Sequence, residues 1–446
     1  MTKDIARAPI ASIILPFFVE NLVRTSLMTA DQLMLYAYSE KAAAAISAVN
    51  QLAFFIQLLY TMVAVGASIV IAQKLGAQRR AEAGRTALAA LVLIVAFSVV
   101  VSLAIALLAP VAIGIFDLEP LVHDYAVSFL FIFGAFSFFM AINIVQAAIL
   151  RAYGYPRDPM IVNIVALALT ILGNAVVLFG PWKLPVSGIA GVACSTVASQ
   201  FVAFLLMLRL LRRRKDKIEI PYRQVLSLPA ADYREILDVG VPTAGENIAY
   251  NVSQIVMVSF IARMGTATLA AYGLVITLSR YIFISAISIG SASQLKVGYL
   301  VGAGRFEAAY RKVYRYFLAG MALSATAAVL LNLAKRPIIA LFTKDPAIAG
   351  IATATLLVSL LLEPGRTFNT IIIPSLKGSG DVRFPVFVGM CVMWCVGVPM
   401  AWLLGLKFGL GLVGIWFAMS LDEWTRGILM TLRWKSGAWR TKRLVR

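Results

Sequence analysis

Glu20, Arg24 and Asp31 stand in the stretch 11–36, which is otherwise strongly apolar. Spacings of four and seven residues put all three on nearly one face of a helix. An ionised group at the centre of a bilayer costs at least about 2.5 kcal/mol, so that face must look into protein or water rather than lipid. Glu20 is placed to neutralise Arg24 one turn on, which leaves Asp31 as an acid without a fixed cation. Burial favours the neutral form of a carboxyl and water the charged form, so an acid whose access to water changes can take up and release a proton or a metal cation. A second set begins at 239–262, where Glu246, Asn247, Asn251, Ser253 and Gln254 form a broad polar stripe. Arg280 follows in the next apolar stretch, and Glu363 and Arg366 lie three apart in 347–374. Two acids and two bases balance there, and the set suits a structural polar network or a substrate-binding surface equally. Asp422, Glu423 and Arg426, near the end of the last apolar stretch, read as structural.

The elements that must carry these groups follow from composition. The chain has 446 residues, of which 61% are hydrophobic and 14% charged, and its mean hydropathy is +0.87. That is too apolar for a water-soluble chain of this length. Runs of about 20 apolar residues, the length that crosses a bilayer core, occur twelve times. They fall at 11–36, 44–73, 86–110, 125–150, 160–180, 189–210, 239–262, 268–300, 316–334, 347–374, 384–406 and 410–432. The runs are continuous and lack the short-period alternation of a membrane barrel, so the fold class is an all-α membrane protein with twelve transmembrane helices.

The formal net charge is +19, but its distribution argues against nucleic acid. Assigning loops alternately to two sides gathers Lys3, Arg7, Lys74, Arg79, Arg80, Arg85, Arg151 and Arg157 on one side. The run Arg212 to Lys217, then Arg305 to Arg315, Lys377, Arg383 and the tail from Arg433 join them. The other side keeps few cations, Lys183 among them, and the acidic loop at 117–124. This positive-inside pattern places both termini in the cytoplasm, with the cations on lipid headgroups. Cys194, Cys391 and Cys395 lie in apolar runs and are expected as small core residues. No phosphate-binding glycine loop is present. The one histidine, His123, lies in an outer loop, and no pair of acids has metal-binding or nucleophile spacing, which makes an intramembrane enzyme a poor reading. No metal and no cofactor is expected.

A shift of 226 positions relates "PFFVEN" at 16–21 to "PTAGEN" at 242–247, and "LRAYGYPRDP" at 150–159 to "LKGSGDVRFP" at 376–385. Asn143 falls on Asn369 at the same shift, and "GIAG" at 188–191 meets "GLVG" at 411–414 at a slightly smaller one. The chain is a duplicated six-helix unit. Six is even, so both copies have one orientation in the membrane, an arrangement found in secondary transporters with a substrate path between the halves. The expected organisation is a bundle at 10–210, a cytoplasmic linker at 211–238, a second bundle at 239–433 and a basic tail at 434–446. Pro16 and Pro242 each remove a backbone hydrogen bond one turn before the repeated glutamate, and are candidate hinges.

Together with "GASIVIAQKLGA" at 66–77, "ILRAYGYPRDPM" at 149–160, "GIAGVACST" at 188–196 and "GVPTAGEN" at 240–247, the duplicated helices resemble the multidrug and toxic compound extrusion (MATE) transporters. The resemblance implies two pseudo-symmetric six-helix bundles around a central cleft, and export of amphiphilic or cationic small molecules in exchange for protons or sodium by alternating access. It makes Asp31 similar to the family's cation-coupling aspartate and Thr196 similar to a threonine of the same site. Where many members carry an Asn and an Asp four apart in the fifth span, this chain has Thr170 and Asn174. One carboxylate fewer makes a poorer sodium site and favours protons. Where members with an acid in the seventh span carry it one turn further on, this chain has Tyr250. Glu20, Asn21, Arg24, Glu246, Asn247, Asn251, Gln254, Arg280, Glu363 and Arg366 are the expected polar, substrate-facing residues of the cleft. A small-molecule substrate, membrane lipids and a monomeric state are expected. The alternative is a lipid-linked saccharide flippase of the same superfamily, which would use Arg24, Arg280 and Arg366 to hold a diphosphate.

Overall fold

The computed structural model describes residues 9–116, 118–180 and 188–444. Lys3, Arg7, Asp117, Lys183 and the final Arg446 lie outside the described residues. The described chain is helical, without a strand. Its helices are α1 (Ala11–Tyr38), α2 (Glu40–Gly76), α3 (Arg80–Gly114), α4 (Pro120–Ala135), α5 (Ser137–Ala152), α6 (Arg157–Phe179) and α7 (Gly188–Arg213). After a 3-10 turn at Tyr222–Ser227 come α8 (Ala230–Ala262), α9 (Thr266–Gly302), α10 (Phe306–Leu333), α11 (Lys335–Phe342) and α12 (Pro346–Ser379). The last two are α13 (Arg383–Lys407) and α14 (Gly411–Ser436).

Among the described residues nine helices are long and apolar enough to cross a membrane, ten when the bent pair α4 and α5 counts as one span. The long helices α8 and α14 fall outside that set because they carry the polar stripe of Glu246 to Gln254 and the Asp422, Glu423, Arg426 group. The predicted single span 125–150 is broken: α4 and α5 meet at a 49° bend. Phe136 at the junction has left helical geometry, with φ −112° and ψ 11°. The span predicted at 384–406 is one rod with two wide turns, Met393–Gly397 and Ala401–Lys407. They flank Pro399, whose missing N–H removes the ordinary helical bond at that point.

Two compact units divide the chain. The first comprises Val19–Leu75 and Arg79–Val241; the second comprises Pro9–Phe18, Gly76–Gln78 and the chain from Pro242 onward. The core of the first gathers Leu35, Ile46, Val49, Ile113, Phe129 and Val192. That of the second gathers Val275, Leu356, Leu362, Ile415, Trp416 and Met419. The segment joining the copies, 211–238, runs from the end of α7 through the 3-10 turn Tyr222–Ser227. Its end is the first turns of α8, which dock on α2: Lys74 Nζ lies 2.6 Å from Glu235 and 3.5 Å from Asp232. Gly66 and Gly240 permit this approach, since a Cβ on Gly66 would stand 2.2 Å from the Ile236 carbonyl oxygen, and one on Gly240 2.5 Å from that of Met62.

Cys194, Cys391 and Cys395 are free and exposed, not in the core as expected. Cys194 lines a cavity of about 580 Å³ with Leu169, Gly173 and Ser195, where a thiol serves as a small apolar side chain.

Candidate functional site

In the first unit Glu20 makes its direct ion pair with Arg151 and not with Arg24. Its carboxylate accepts two bonds from one Arg151 nitrogen, at 2.6 and 2.7 Å, and a third from Asn163 Nδ2 at 2.7 Å. Arg151 ends α5, so the sequence reading counted it as a loop cation; its side chain instead reaches back along the helix end to meet the acid of α1. Arg24 then bonds only the amide oxygen of Asn21, at 3.2 Å. Glu20, Arg24, Arg151 and Asn163 line a cavity of about 370 Å³, and Asn21 lies outside that lining. Asn143 closes one wall, donating to the backbone oxygen of Gln200 at 2.9 Å and to its side-chain oxygen at 3.0 Å. Met140, Ile144, Ala147 and Leu167 supply an apolar flank.

The second unit repeats the plan. Glu246 of α8 pairs with Lys377 of α12 at 2.5 Å, and the two partners are 131 positions apart, as Glu20 and Arg151 are. Asn369 donates to the Glu423 backbone oxygen at 2.8 Å and to its carboxylate at 2.6 Å. Glu246, Tyr250, Phe283, Asn369, Lys377 and Glu423 line a cavity of about 270 Å³. Each stands where Glu20, Arg24, Gln57, Asn143, Arg151 and Gln200 stand in the first cavity, the last by the smaller shift of the chain's end. In each copy the repeated glutamate is half of an ion pair that ties the first helix of the copy to a later one.

Charge separates the two cavities. The first is lined by one acid, Glu20, and two bases, Arg24 and Arg151. The second is lined by two acids and two bases, Glu246, Glu423, Lys377 and Arg426. Arg426 also binds Asp422, and lies 3.2 Å from Glu423. Buried behind them, Arg366 bonds Glu363 at 3.1 Å.

Asp31 lies away from the lining of the first cavity, further along α1. Its Oδ1 accepts from Asn174 Nδ2 of α6 at 2.7 Å. Asn174 is fully buried, and its own Oδ1 has no hydrogen-bond partner. The Asp31 carboxylate is thus held by a buried amide whose own oxygen accepts no bond among the described residues. Thr170 Oγ1 shares a 2.6 Å bond with Ser199 Oγ, and Thr196 Oγ1 donates to the Val192 carbonyl of its own helix. The structure brings Asp31 and Asn174 into contact; the two threonines are engaged elsewhere. Among the described residues no group of three metal-ligating acids, histidines or cysteines comes together.

In the polar stripe of α8, Asn247 lines the second cavity while Asn251 donates to the Asn247 carbonyl at 2.7 Å. Gln254 and Arg280 lie outside both cavities, and Arg280 is exposed. Pro16 and Pro242 each lie inside a continuous helix. The sequence reading missed Arg151, Lys377, Asn163, Gln57 and Gln200 as cavity residues. A signal existed for the first two, since the 226-residue repeat sets one cation on the other, beside a repeated acid.

Two six-helix copies with a polar cavity in each define a multi-pass membrane transporter. A family model described as MatE matches residues 16–176 and 242–403, one segment in each copy. The chain is 35% identical over 433 residues to the uncharacterized transporter YisQ of Bacillus subtilis, covering 95% of this chain and 93% of that one. It is 28% identical over 435 residues to a probable multidrug resistance protein NorM of Thermotoga maritima, covering 97% and 93%. An outward-facing multidrug resistance MATE family transporter has the same fold, with a TM-score of 0.91 at 18% identity over 99% of this chain and 98% of that one. A MOP superfamily transporter from Pyrococcus furiosus gives 0.89 at 18% identity over 98% of both chains. The chain belongs to the MATE family of membrane transporters.

Proposed function

We propose that the protein is a secondary antiporter of the inner membrane that exports amphiphilic or cationic small molecules in exchange for protons, and that Asp31 is the coupling acid. The observation that carries this reading is the meeting of the Asp31 carboxylate with Asn174, whose own buried oxygen is left unsatisfied. A single carboxylate with neutral oxygen neighbours is a weak cage for sodium, since hard cations favour several anionic ligands, and this supports the proton. Pro16 lies fifteen residues before Asp31 in the same helix, so a change of bend there moves the acid relative to water. Protonation from outside and substrate from inside then favour different states of one two-state molecule, which couples the two fluxes. The relatives named as multidrug resistance proteins support the substrate class. The cation-rich loops support cytoplasmic termini and contact with anionic lipid, and the protein works as a monomer on this reading.

The test is substrate flux in proteoliposomes with a proton or a sodium gradient imposed separately, native protein beside Asp31→Asn. The native protein is expected to respond to the proton gradient, and the variant to fall to the rate of protein-free vesicles. Native, gradient-dependent exchange by the variant would remove Asp31 from the mechanism.

A further inference from the structure

Among the described residues, the lining of the first cavity carries one more base than acid. Glu20 is the one acid on its lining, and its two oxygens take three bonds from Arg151 and Asn163. Arg24, on the same lining, is exposed and, among the described residues, has its hydrogen bond to a neutral amide oxygen at 3.2 Å and no ion pair with an acid within 4 Å. A guanidinium is a forked donor whose natural partner is a planar or tetrahedral oxyanion. A second group on the lining is also unsatisfied: Asn143 is 5% exposed, gives its N–H bonds to Gln200, and its Oδ1 accepts none. The equivalent cavity of the second unit lacks this surplus. Tyr250 stands where Arg24 does, and Lys377 and Arg426 are each matched by an acid.

The geometry points to the first-unit cavity as the seat of an oxyanion on an amphiphilic substrate: a carboxylate or phosphate on Arg24, a hydroxyl or amine hydrogen given to Asn143 Oδ1, and an apolar body against Met140, Ile144 and Leu167. The inference rests on the exporter reading only for transport and narrows its substrate class. A volume near 370 Å³ suits a small aromatic acid or the headgroup of a lipid. The two sources share the anion and differ in what the apolar part is anchored to.

The experiment uses the full-length protein and three fluorescent probes with one ring system: 6-hydroxy-2-naphthoate, its methyl ester, and the matching trimethylammonium derivative. Equilibrium binding in detergent is expected to rank the acid above the ester. Removing one charged partner of an anion typically costs tenfold or more, so Arg24→Gln is expected to weaken the acid by at least about tenfold. Arg24→Lys should restore most of that affinity, and binding of the trimethylammonium probe to Arg24→Gln should be unchanged or tighter, which also reports a folded protein. Asn163→Asp places a second carboxylate beside Glu20 and is expected to weaken the acid as much, with Arg24 intact. Unhydroxylated 2-naphthoate should bind the native protein more weakly than the hydroxylated acid.

Equal binding of acid and ester by the native protein, or native affinity for the acid in both Arg24→Gln and Asn163→Asp, overturns the inference. In proteoliposomes, gradient-driven uptake of the hydroxynaphthoate identifies a soluble acid. Flipping of a fluorescent phosphatidate, lost in Arg24→Gln, identifies a lipid phosphate. Transport of the trimethylammonium probe alone sinks the inference and leaves the exporter reading standing. Absence of all transport under either gradient sinks the exporter reading, while the binding series still decides the cavity.

Discussion

The two copies solve one problem with different security. Both bury a glutamate one turn after a proline, and both hold it with a cation from a helix 131 positions further on. In the first copy Asn163 adds a third bond, so Glu20 keeps a donor when Arg151 is removed. In the second, Gly389 stands at the position of Asn163 and offers no donor, and Lys377 is the partner the structure gives Glu246. The pair in the second copy is also more deeply buried, with Glu246 8% and Lys377 7% exposed. Duplication conserved the clamp, and divergence changed what surrounds it. The first copy has a cation, Arg24, where the second has Tyr250, and an acid on a second site, Asp31, where the second has Met257.

The largest effect that separates the copies is loss of the clamp cation. Lys377→Ala strands Glu246 in a dry setting, and breaking a buried pair this way costs about 3–5 kcal/mol. Arg151→Ala leaves Asn163 on Glu20 and is expected to cost clearly less, about 2–3 kcal/mol at that lower burial. Thermal unfolding of the full-length protein in detergent checks the order. Replacing both members together, Glu246→Leu with Lys377→Met, should recover most of the loss, because an apolar pair of similar size is often as stable as a buried ion pair. Equal losses in Lys377→Ala and Arg151→Ala would show that the difference between the copies is only in the drawing of their hydrogen bonds.

The matched asparagines separate the copies by a smaller amount. Asn369 donates to a carboxylate, and such bonds contribute about 1.5–3 kcal/mol; Asn143 donates to a neutral amide, where about 0.5–1.5 kcal/mol is usual. Asn369→Ala is therefore expected to lower stability by more than Asn143→Ala in the same unfolding measurement. The reverse order would mean that Glu423 is held chiefly by Arg426, which lies 3.2 Å away, and that the amide is incidental.

The helices were legible because crossing a bilayer demands apolar length, and the repeat because both copies kept their prolines, acids and glycines in register. The break between α4 and α5 was hidden, since Phe136 is as apolar as its neighbours and hydropathy does not register a change of backbone direction. Asp31 stood out as an acid in oil, and its contact with Asn174 followed from the family resemblance rather than from spacing. The clamp cations were lost for a physical reason: Arg151 and Lys377 lie at helix ends, where sequence alone reads a cation as headgroup-facing. Whether such a side chain turns outward to lipid phosphate or inward to an acid is decided by the packing of helices distant in sequence. The surplus charge of the first cavity was legible only in part, because Glu20 and Arg24 at helical spacing look like partners. Glu20 is held by Arg151 because one guanidinium nitrogen reaches both carboxylate oxygens and Asn163 adds a third bond.

The finest difference between the copies is the single position where Asn163 faces Gly389. A Cβ built on Gly389 would lie 3.4 Å from Glu246 Oε1, an ordinary contact distance. Alanine there fits, and replacing glycine by alanine inside a helix is worth up to about 1 kcal/mol, so Gly389→Ala is expected to raise the unfolding temperature slightly. Asparagine extends two bonds beyond Cβ toward the same oxygen. Gly389→Asn must therefore either displace Glu246 from Lys377 or hand it the third bond that Glu20 already has. If the amide can be accommodated, it should shrink the loss caused by Lys377→Ala to the size of that caused by Arg151→Ala, which makes one residue answerable for the unequal security of the two clamps. If the substitution instead lowers stability on its own and leaves that loss unchanged, the glycine is there because the carboxylate occupies the space, and the copies differ in helix separation rather than in hydrogen-bond count.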